Sequence, residues 1–519
     1  MNRDEMLRRA IDRRGDWDVV VVGGGATGAG VAVDAAARGY SVLLLERFDF
    51  GAGTSSRSTK LVHGGVRYLR QAHFGLVTEA LHERSRLLRN APHLVHDLAF
   101  VLPCNRRRDV ALYGVGLKLY DLLAGRNEFA NSAVVSARRV RELLPTLESS
   151  RLRGGVVYHD GQFDDARLLI HLVMTAADHG AVVLNYAEVT GLSRGAAGRI
   201  DGVFARDRES GVEFRAGARV VVNAAGPFCD DVRRLADANA EPLVAASQGS
   251  HIVLDRRFLE GDAALLIPNT PDGRVLFAIP WHNHTLVGTT DIPLDAAPVE
   301  PRASFEEIDF ILETAGRYLR QAPRRADVLS TFAGVRPLAK AGGGNTASLS
   351  RDHLIRVEGG LVTITGGKWT TYRNMAEVCV DRAAAVAALP VRACPTRDLR
   401  IHGYEADAAR WGALAEYGSD APKLLKLVEG ETALNARLHP ALPYLEAEVV
   451  WAVRKEMART VTDVLARRMR ALFLNAQAAI AMAPRVAELL AHELGRDEAW
   501  RSGQVWSFSQ LAEGYRVNG

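Results

Sequence analysis

The chain has 519 residues, 48% hydrophobic and 24% charged, enough to bury a sizeable core and to form two or three domains of about 150 residues each. A formal net charge of +4 is mild for 65 basic and 61 acidic side chains; it is compatible with anionic partners and gives no sign of nucleic-acid binding. Four cysteines at 104, 229, 379 and 394 lack CxxC spacing, so they read as reduced thiols in a cytoplasmic setting, with no metal site expected.

The opening MNRDEMLRRAIDRRGD is charged throughout and has no apolar h-region, so export is not expected. Residues 17 to 46 read as strand (WDVVVV), glycine turn (GGGATGAG), helix (VAVDAAARG) and strand (YSVLLLE), a βαβ unit. Residues 76 to 150 carry helical spacing and leave that unit. ARLLIHLVMTAADHG predicts a helix closed by Gly180, and AVVLNYAEV a strand that returns to the first sheet. Between 250 and 290, HIVLD, AALLIP, RVLFAIP and HTLVGTT predict short strands of an antiparallel sheet. After Pro390 the pattern is helical, with Val453, Met457, Val461, Val464 and Leu465 at helical spacing in one long segment. No run of 18 apolar residues occurs, so no helix is expected to span a bilayer.

Gly23, Gly25 and Gly28 form GxGxxG between the first strand and the helix, and Glu46 closes the next strand. In that setting the glycines allow a tight turn and close backbone approach, the helix N-terminus faces a pyrophosphate, and Glu46 can accept ribose hydroxyls. Flavin and nicotinamide both suit such a unit. Two later segments, VVNAAGPFCDDV at 221 to 232 and LVTITGGKWTTYRNMAE at 361 to 377, are strands running into small-residue turns. With the first motif they resemble the three separated flavin contacts of the D-amino-acid-oxidase-like flavoproteins.

The resemblance narrows with TSSRSTKLVHGGVRYL at 54 to 69, GSHIVL at 249 to 254, IPWHNHTLVGTTD at 279 to 291, GVRPL at 334 to 338 and GGKWTTYR at 366 to 373. In this order the motifs are similar to those of the FAD-dependent glycerol-3-phosphate dehydrogenases. The likeness covers nearly the whole chain beyond residue 16. It implies an α/β fold: a Rossmann-like FAD-binding domain at 17–75, 151–240 and 331–390, an antiparallel-sheet substrate domain at 76–150 and 241–330, and an all-helical C-terminal domain at 395–519. FAD contacts are expected from Gly23, Gly25, Gly28, Glu46, Thr54, Ser55, Ser56, Lys60, Gly64, Gly65, Ala224, Gly226, Gly366, Gly367, Lys368 and Thr370.

The substrate so implied is glycerol 3-phosphate, whose dianion calls for charge-assisted donors, and Arg67, Tyr68, Arg336 and Lys368 are the candidates. GVRPL reads as an apolar turn in which an unpaired Arg336 would be costly. Oxidation of a secondary alcohol removes a hydride from carbon, here to flavin N5, and a proton from oxygen, so a base should lie beside the flavin; His63 and His251 are the candidates. The same likeness implies quinone as electron acceptor, peripheral attachment at the cytoplasmic face of the inner membrane, and compatibility with a homodimer. RRR at 106 to 108 and RRMR at 467 to 470 read as solvated faces, with anionic lipid as the sharper alternative for Arg467, Arg468 and Arg470. The rival activities are an oxygen-using oxidase of the same superfamily and a non-catalytic flavin-binding protein.

Overall fold

Short Val-rich and Leu-rich runs suit strands covered on both faces. Two of them, β1 (Trp17–Val22) and β2 (Val42–Leu45), lie at the centre of the first sheet of the computed structural model, which describes residues 1–65, 74–125, 129–268, 270, 273–340 and 353–517. With β7 (Val182–Leu184), β10 (Glu213–Asn223) and β18 (Leu361–Gly366) they form a parallel layer in the order β18-β10-β1-β2-β7. An antiparallel edge strand, β17 (His353–Glu358), flanks β18, and β8 (Ala187–Arg194) and β9 (Ile200–Asp207) continue β10 as an antiparallel ribbon. The helices Ala26–Ala37, Asp165–Asp178 and Tyr372–Val386 supply apolar faces to the core around this sheet.

A second sheet is built from β3 (Leu61–Val62), β4 (Val95–Cys104), β5 (Ala133–Ser136), β6 (Gly154–Phe163), β11 (Val244–Asp255), β12 (Ala264–Ile267), β13 (Leu276–Trp281), β14 (His284–Gly288), β15 (Ile292–Leu294) and β16 (Val328–Ala339). Its pairings are antiparallel except that of β12 with β4. This sheet takes in 61–62, 154–163 and 331–339, which the sequence reading assigns to the nucleotide unit. A strand's own periodicity says that it is buried and not which sheet it joins.

The C-terminal segment is helical, including Glu446–Glu456, Ala476–Leu494 and Glu498–Glu513. The long helix expected across 451 to 474 is interrupted, because Met457 and Arg470 take left-handed backbone angles (φ 59° and 62°). Nor is this segment closed on itself: Val464, Leu472 and Phe473 share one core with Phe100, Trp281 and Phe332 of the second sheet. The first residues, which carry no recognisable motif, form the helix Arg3–Ile11, capped by Asn2. Its Arg3 is buried, donating to the Asn185 carbonyl at 2.9 Å and pairing with Asp207.

Arg467, Arg468 and Arg470 overturn an expectation. All three are buried, so they face neither solvent nor lipid. Arg467 Nε and Arg468 Nη1 lie 2.6 and 2.7 Å from Asp49 Oδ2, Arg467 also pairs with Asp463 at 2.6 Å, and Arg470 reaches Asp165 at 3.2 Å. Arg167 pairs with Glu456 nearby. A basic run reads as surface only while its distant carboxylates are unknown, and Asp49 and Asp165 arrive from more than 300 residues upstream.

Two outcomes follow from these pairs. Breaking one partner of a buried pair leaves an uncompensated charge, so Asp49→Ala should lower stability by about 3 to 5 kcal/mol in urea unfolding; an unchanged midpoint would show that the pairs contribute nothing. His402 bridges Asp178 (2.6 Å) and Asp420 (2.8 Å), and these carboxylates raise its pKa to about 9 against the opposing effect of burial. A raised folded pKa gives stability that is complete below the unfolded value near 6.5 and is lost as pH climbs through about 9, in all about 1 to 3 kcal/mol. Melting temperatures of the wild type and His402→Gln should therefore differ most below pH 6.5 and converge above pH 9, and a constant difference would refute the assignment.

Candidate active site

In an open α/β sheet, ligands bind beyond the carboxyl ends of the strands. Here the ends of β1, β2, β10 and β18 present the glycine turn, Glu46, residues 224–228 and residues 366–369 together, in registers Val22↔Asn223 and Asn223↔Thr363. Gly23 has φ 108°, and a Cβ on it would lie 2.6 Å from the Ala224 carbonyl oxygen; one on Gly28 would lie 1.8 Å from the Gly23 carbonyl oxygen. Both positions therefore exclude any side chain. The helix that follows begins at Gly25 without a side-chain cap, leaving backbone N–H groups for an anion, although Ala26 N–H donates to Ser55 Oγ at 2.9 Å. Glu46 accepts from the N–H groups of Gly24 (2.7 Å) and Phe48 (2.8 Å), one on each oxygen, which leaves acceptor capacity for ribose hydroxyls. Burial pushes its carboxyl upward against those two donors.

The segment 54–65 joins the two sheets at this point. Thr54 Oγ1 donates to the Val335 carbonyl (2.6 Å), Trp369 Nε1 donates to the Ser55 carbonyl (2.9 Å), and His63 N–H donates to Thr370 Oγ1 (3.1 Å). The site therefore draws on both sheets, as a discontinuous cofactor site must. Gly366 and Gly367 take φ 81° and 72°, and a Cβ on Gly367 would lie 2.3 Å from Met375 Sδ. These glycine positions, the uncapped helix start and Glu46 together fit an adenine dinucleotide, the group FAD carries.

Four expected FAD contacts are turned inward. Lys60 is fully buried, its Nζ donating to Asp165 Oδ2 (2.7 Å) and the Ser56 carbonyl (2.9 Å), so its amine is beyond the reach of a cofactor. Desolvation, reinforced by Arg470, lowers its pKa to about 7 against the pull of Asp165. Ser56 is buried and contributes its carbonyl to that node; Thr370 is spent on the His63 backbone; Ala224 packs against Gly23. Gly226 (φ 56°) and Gly65 (φ 80°) take left-handed backbone angles, and half-buried Lys368 leads into the turn Trp369–Thr371. Gly64 is required by packing as well, since a Cβ there would meet Tyr120 Oη at 2.5 Å, and Tyr120 accepts the Gly64 N–H at 2.9 Å.

Among the substrate candidates, Arg67 and Tyr68 lie outside the described residues. Arg336 sits on β16, not in a turn, and its anionic neighbour is Asp291, 3.1 Å away. It also donates to Thr289 Oγ1 (3.2 Å) and the Thr290 carbonyl (3.1 Å). The two histidines differ sharply. His63 is half-buried. His251 is 2% exposed, stacked on Phe332 with ring centroids 4.7 Å apart, and bonded through Nε2 to Thr59 Oγ1 at 2.9 Å. Burial, with Lys60 and Arg336 adding to it, holds His251 well below the ordinary imidazole range. Its burial and lowered basicity set it apart from His63. Asp49, Tyr120 and Asp165 escape sequence reading, because lone polar residues inside apolar runs carry no spacing signal.

The comparisons agree with this geometry. A family model described as FAD dependent oxidoreductase matches residues 18–378, and one described as the C-terminal domain of alpha-glycerophosphate oxidase matches residues 362–501. The mitochondrial glycerol-3-phosphate dehydrogenase of Arabidopsis thaliana is 42% identical, the match covering 96% of this chain and 86% of that protein. The human mitochondrial enzyme of the same name is 40% identical, over 97% and 75%. The crystal structure of glycerol-3-phosphate dehydrogenase from Bacillus halodurans, complexed with FAD, is 30% identical with a TM-score of 0.80, covering 99% of this chain and 97% of that one. On sequence, fold and the shape of its dinucleotide cradle, the chain belongs to the FAD-dependent oxidoreductases, in the glycerol-3-phosphate dehydrogenase family.

Proposed function

We infer that the protein oxidises sn-glycerol 3-phosphate to dihydroxyacetone phosphate and passes the electrons to quinone. Bound FAD supplies the hydride acceptor, held by the Gly23–Gly28 turn, Glu46 and the Gly366–Gly367 turn. The observation that supports the reading is the bond from the His63 backbone N–H to Thr370 Oγ1, which ties the half-buried His63 to the segment that follows the Gly366–Gly367 turn. His63 takes the proton of the secondary hydroxyl. Arg336 and Lys368 face the phosphate, and Arg336 exchanges part of its contact with Asp291 for the substrate dianion, a stronger charge-assisted partner. In anaerobic mixing, the flavin should bleach with glycerol 3-phosphate and far less with glycerol, and His63→Asn should slow that bleaching roughly 100-fold. Normal bleaching in the variant would place the base elsewhere, and peroxide formed in air in proportion to substrate would favour an oxidase.

Quinone resides in lipid, and no helix among the described residues is long and apolar enough to cross a membrane. For surface attachment we propose the helix Arg107–Ala124, whose Leu112, Val115, Leu119 and Leu122 are exposed at helical spacing beside Val134. Exposed Arg106, Arg107 and Arg108 at its start complement anionic headgroups. The double variant Leu112→Glu, Leu122→Glu should lose sedimentation with anionic vesicles while flavin reduction stays normal; retained sedimentation would exclude this face.

A further inference from the structure

The pairing of His251 with Thr59 leaves a hydroxyl with a defined direction. The His251 ring is enclosed by Phe332 on one face, and its Cδ2 edge lies so near Gly288 that a Cβ there would be 2.2 Å away. Nε2 meets Thr59 Oγ1 at 2.9 Å, while Nδ1 is buried with no hydrogen-bond partner. A neutral imidazole carries one proton. Placed on Nδ1, it would be a buried donor with nothing to receive it; placed on Nε2, it leaves only an unmet lone pair on Nδ1. Orphaned buried N–H groups are the rarer and costlier of the two. The proton therefore sits on Nε2 and is donated to Thr59 Oγ1, so the Thr59 O–H points away from His251.

Thr59 is half-buried and stands between Ser55 and His63 on the segment that lines the site. His251 lies on β11, which pairs with the β16 strand that carries Arg336 in the register Ser247↔Arg336 and His251↔Phe332. Thr59 thus meets, through His251, the strand paired with the one that carries Arg336, the arginine assigned above to the phosphate. We propose that Thr59 is a substrate-binding donor to an oxygen of the phosphate, and that His251 is the positioning residue that fixes its direction. Lys60 and Arg336 are the charged groups facing the ring, and both oppose a second proton on it.

The proposal rests on the glycerol 3-phosphate reading, so the wild-type holoenzyme is the control. Anaerobic stopped-flow reduction of FAD by glycerol 3-phosphate would be followed in Thr59→Val, Thr59→Ser and His251→Phe, with flavin content and melting temperature confirming that each variant is folded. Thr59→Val should raise the half-saturating concentration by ~10-fold or more, the loss of one hydrogen bond to a charged oxygen, while the limiting rate changes by less than ~3-fold. Thr59→Ser should restore wild-type saturation. His251→Phe, which keeps the stack on Phe332, should raise half-saturation less than Thr59→Val and leave every inflection of the pH profile in place. Should Val not be accommodated, Thr59→Ala gives the same reading with a smaller side chain. Unchanged saturation in the valine or alanine variant overturns the role of Thr59, and an inflection lost in His251→Phe overturns that of His251 by showing a titrating group. A wild-type flavin that no polyol phosphate reduces would instead sink the activity reading itself.

Discussion

The structure depends on charges buried where its three parts meet. Asp49 and Asp165, from the nucleotide half, receive Arg467, Arg468 and Arg470 from the C-terminal segment, and Lys60 shares Asp165 with Arg470. Buried ions are tolerable only when every partner is in place, since each alone carries a desolvation penalty of several kcal/mol. The network is therefore a specification of relative position more than a source of net stability. It fixes where the segment 54–60 runs, because both Lys60 and Arg470 hold the Ser56 carbonyl.

That constraint propagates to the chemistry. With Ser56 and Lys60 anchored inward, Ser55 is left at the helix start, Thr59 at His251 and His63 at Thr370. Successive residues of one short segment thus meet the glycine-turn helix, the second sheet and the segment after β18 in turn. The aromatic cage of Trp281, Phe332 and Phe473 around the Lys60 amine, at 5.0 to 5.6 Å, ties the second sheet and the C-terminal segment into the same node. This explains why the helical segment shares its core with the second sheet: it completes the surroundings of the site's inner wall.

The βαβ unit, the glycine turn and the two later strand-to-turn segments are all legible in the sequence, because each is a local pattern whose physics is contained within about 30 residues. Gly23 and Gly28 can be read from spacing alone, and the structure supplies the steric reason in the Ala224 and Gly23 carbonyls. The longer motifs, from 54–69 onward, identify a family in the same way. They do not say which of their polar residues face inward. Lys60 and Ser56 stand in the same motif as Ser55 and Thr59, yet one pair is buried and the other half-exposed.

What the sequence determined by itself was the set of elements and the cofactor class, since periodicity and glycine spacing are local properties of the chain. Only the tertiary structure decided the sheet joined by β6 and β16, the inward turn of Arg467, Arg468 and Arg470, and the difference between His63 and His251. Each of these depends on a partner far away along the chain: Asp49 for Arg468, Phe332 and Thr59 for His251, Thr370 for His63. The burial and charge state of a polar group are set by what surrounds it, and that environment exists only once distant segments have met.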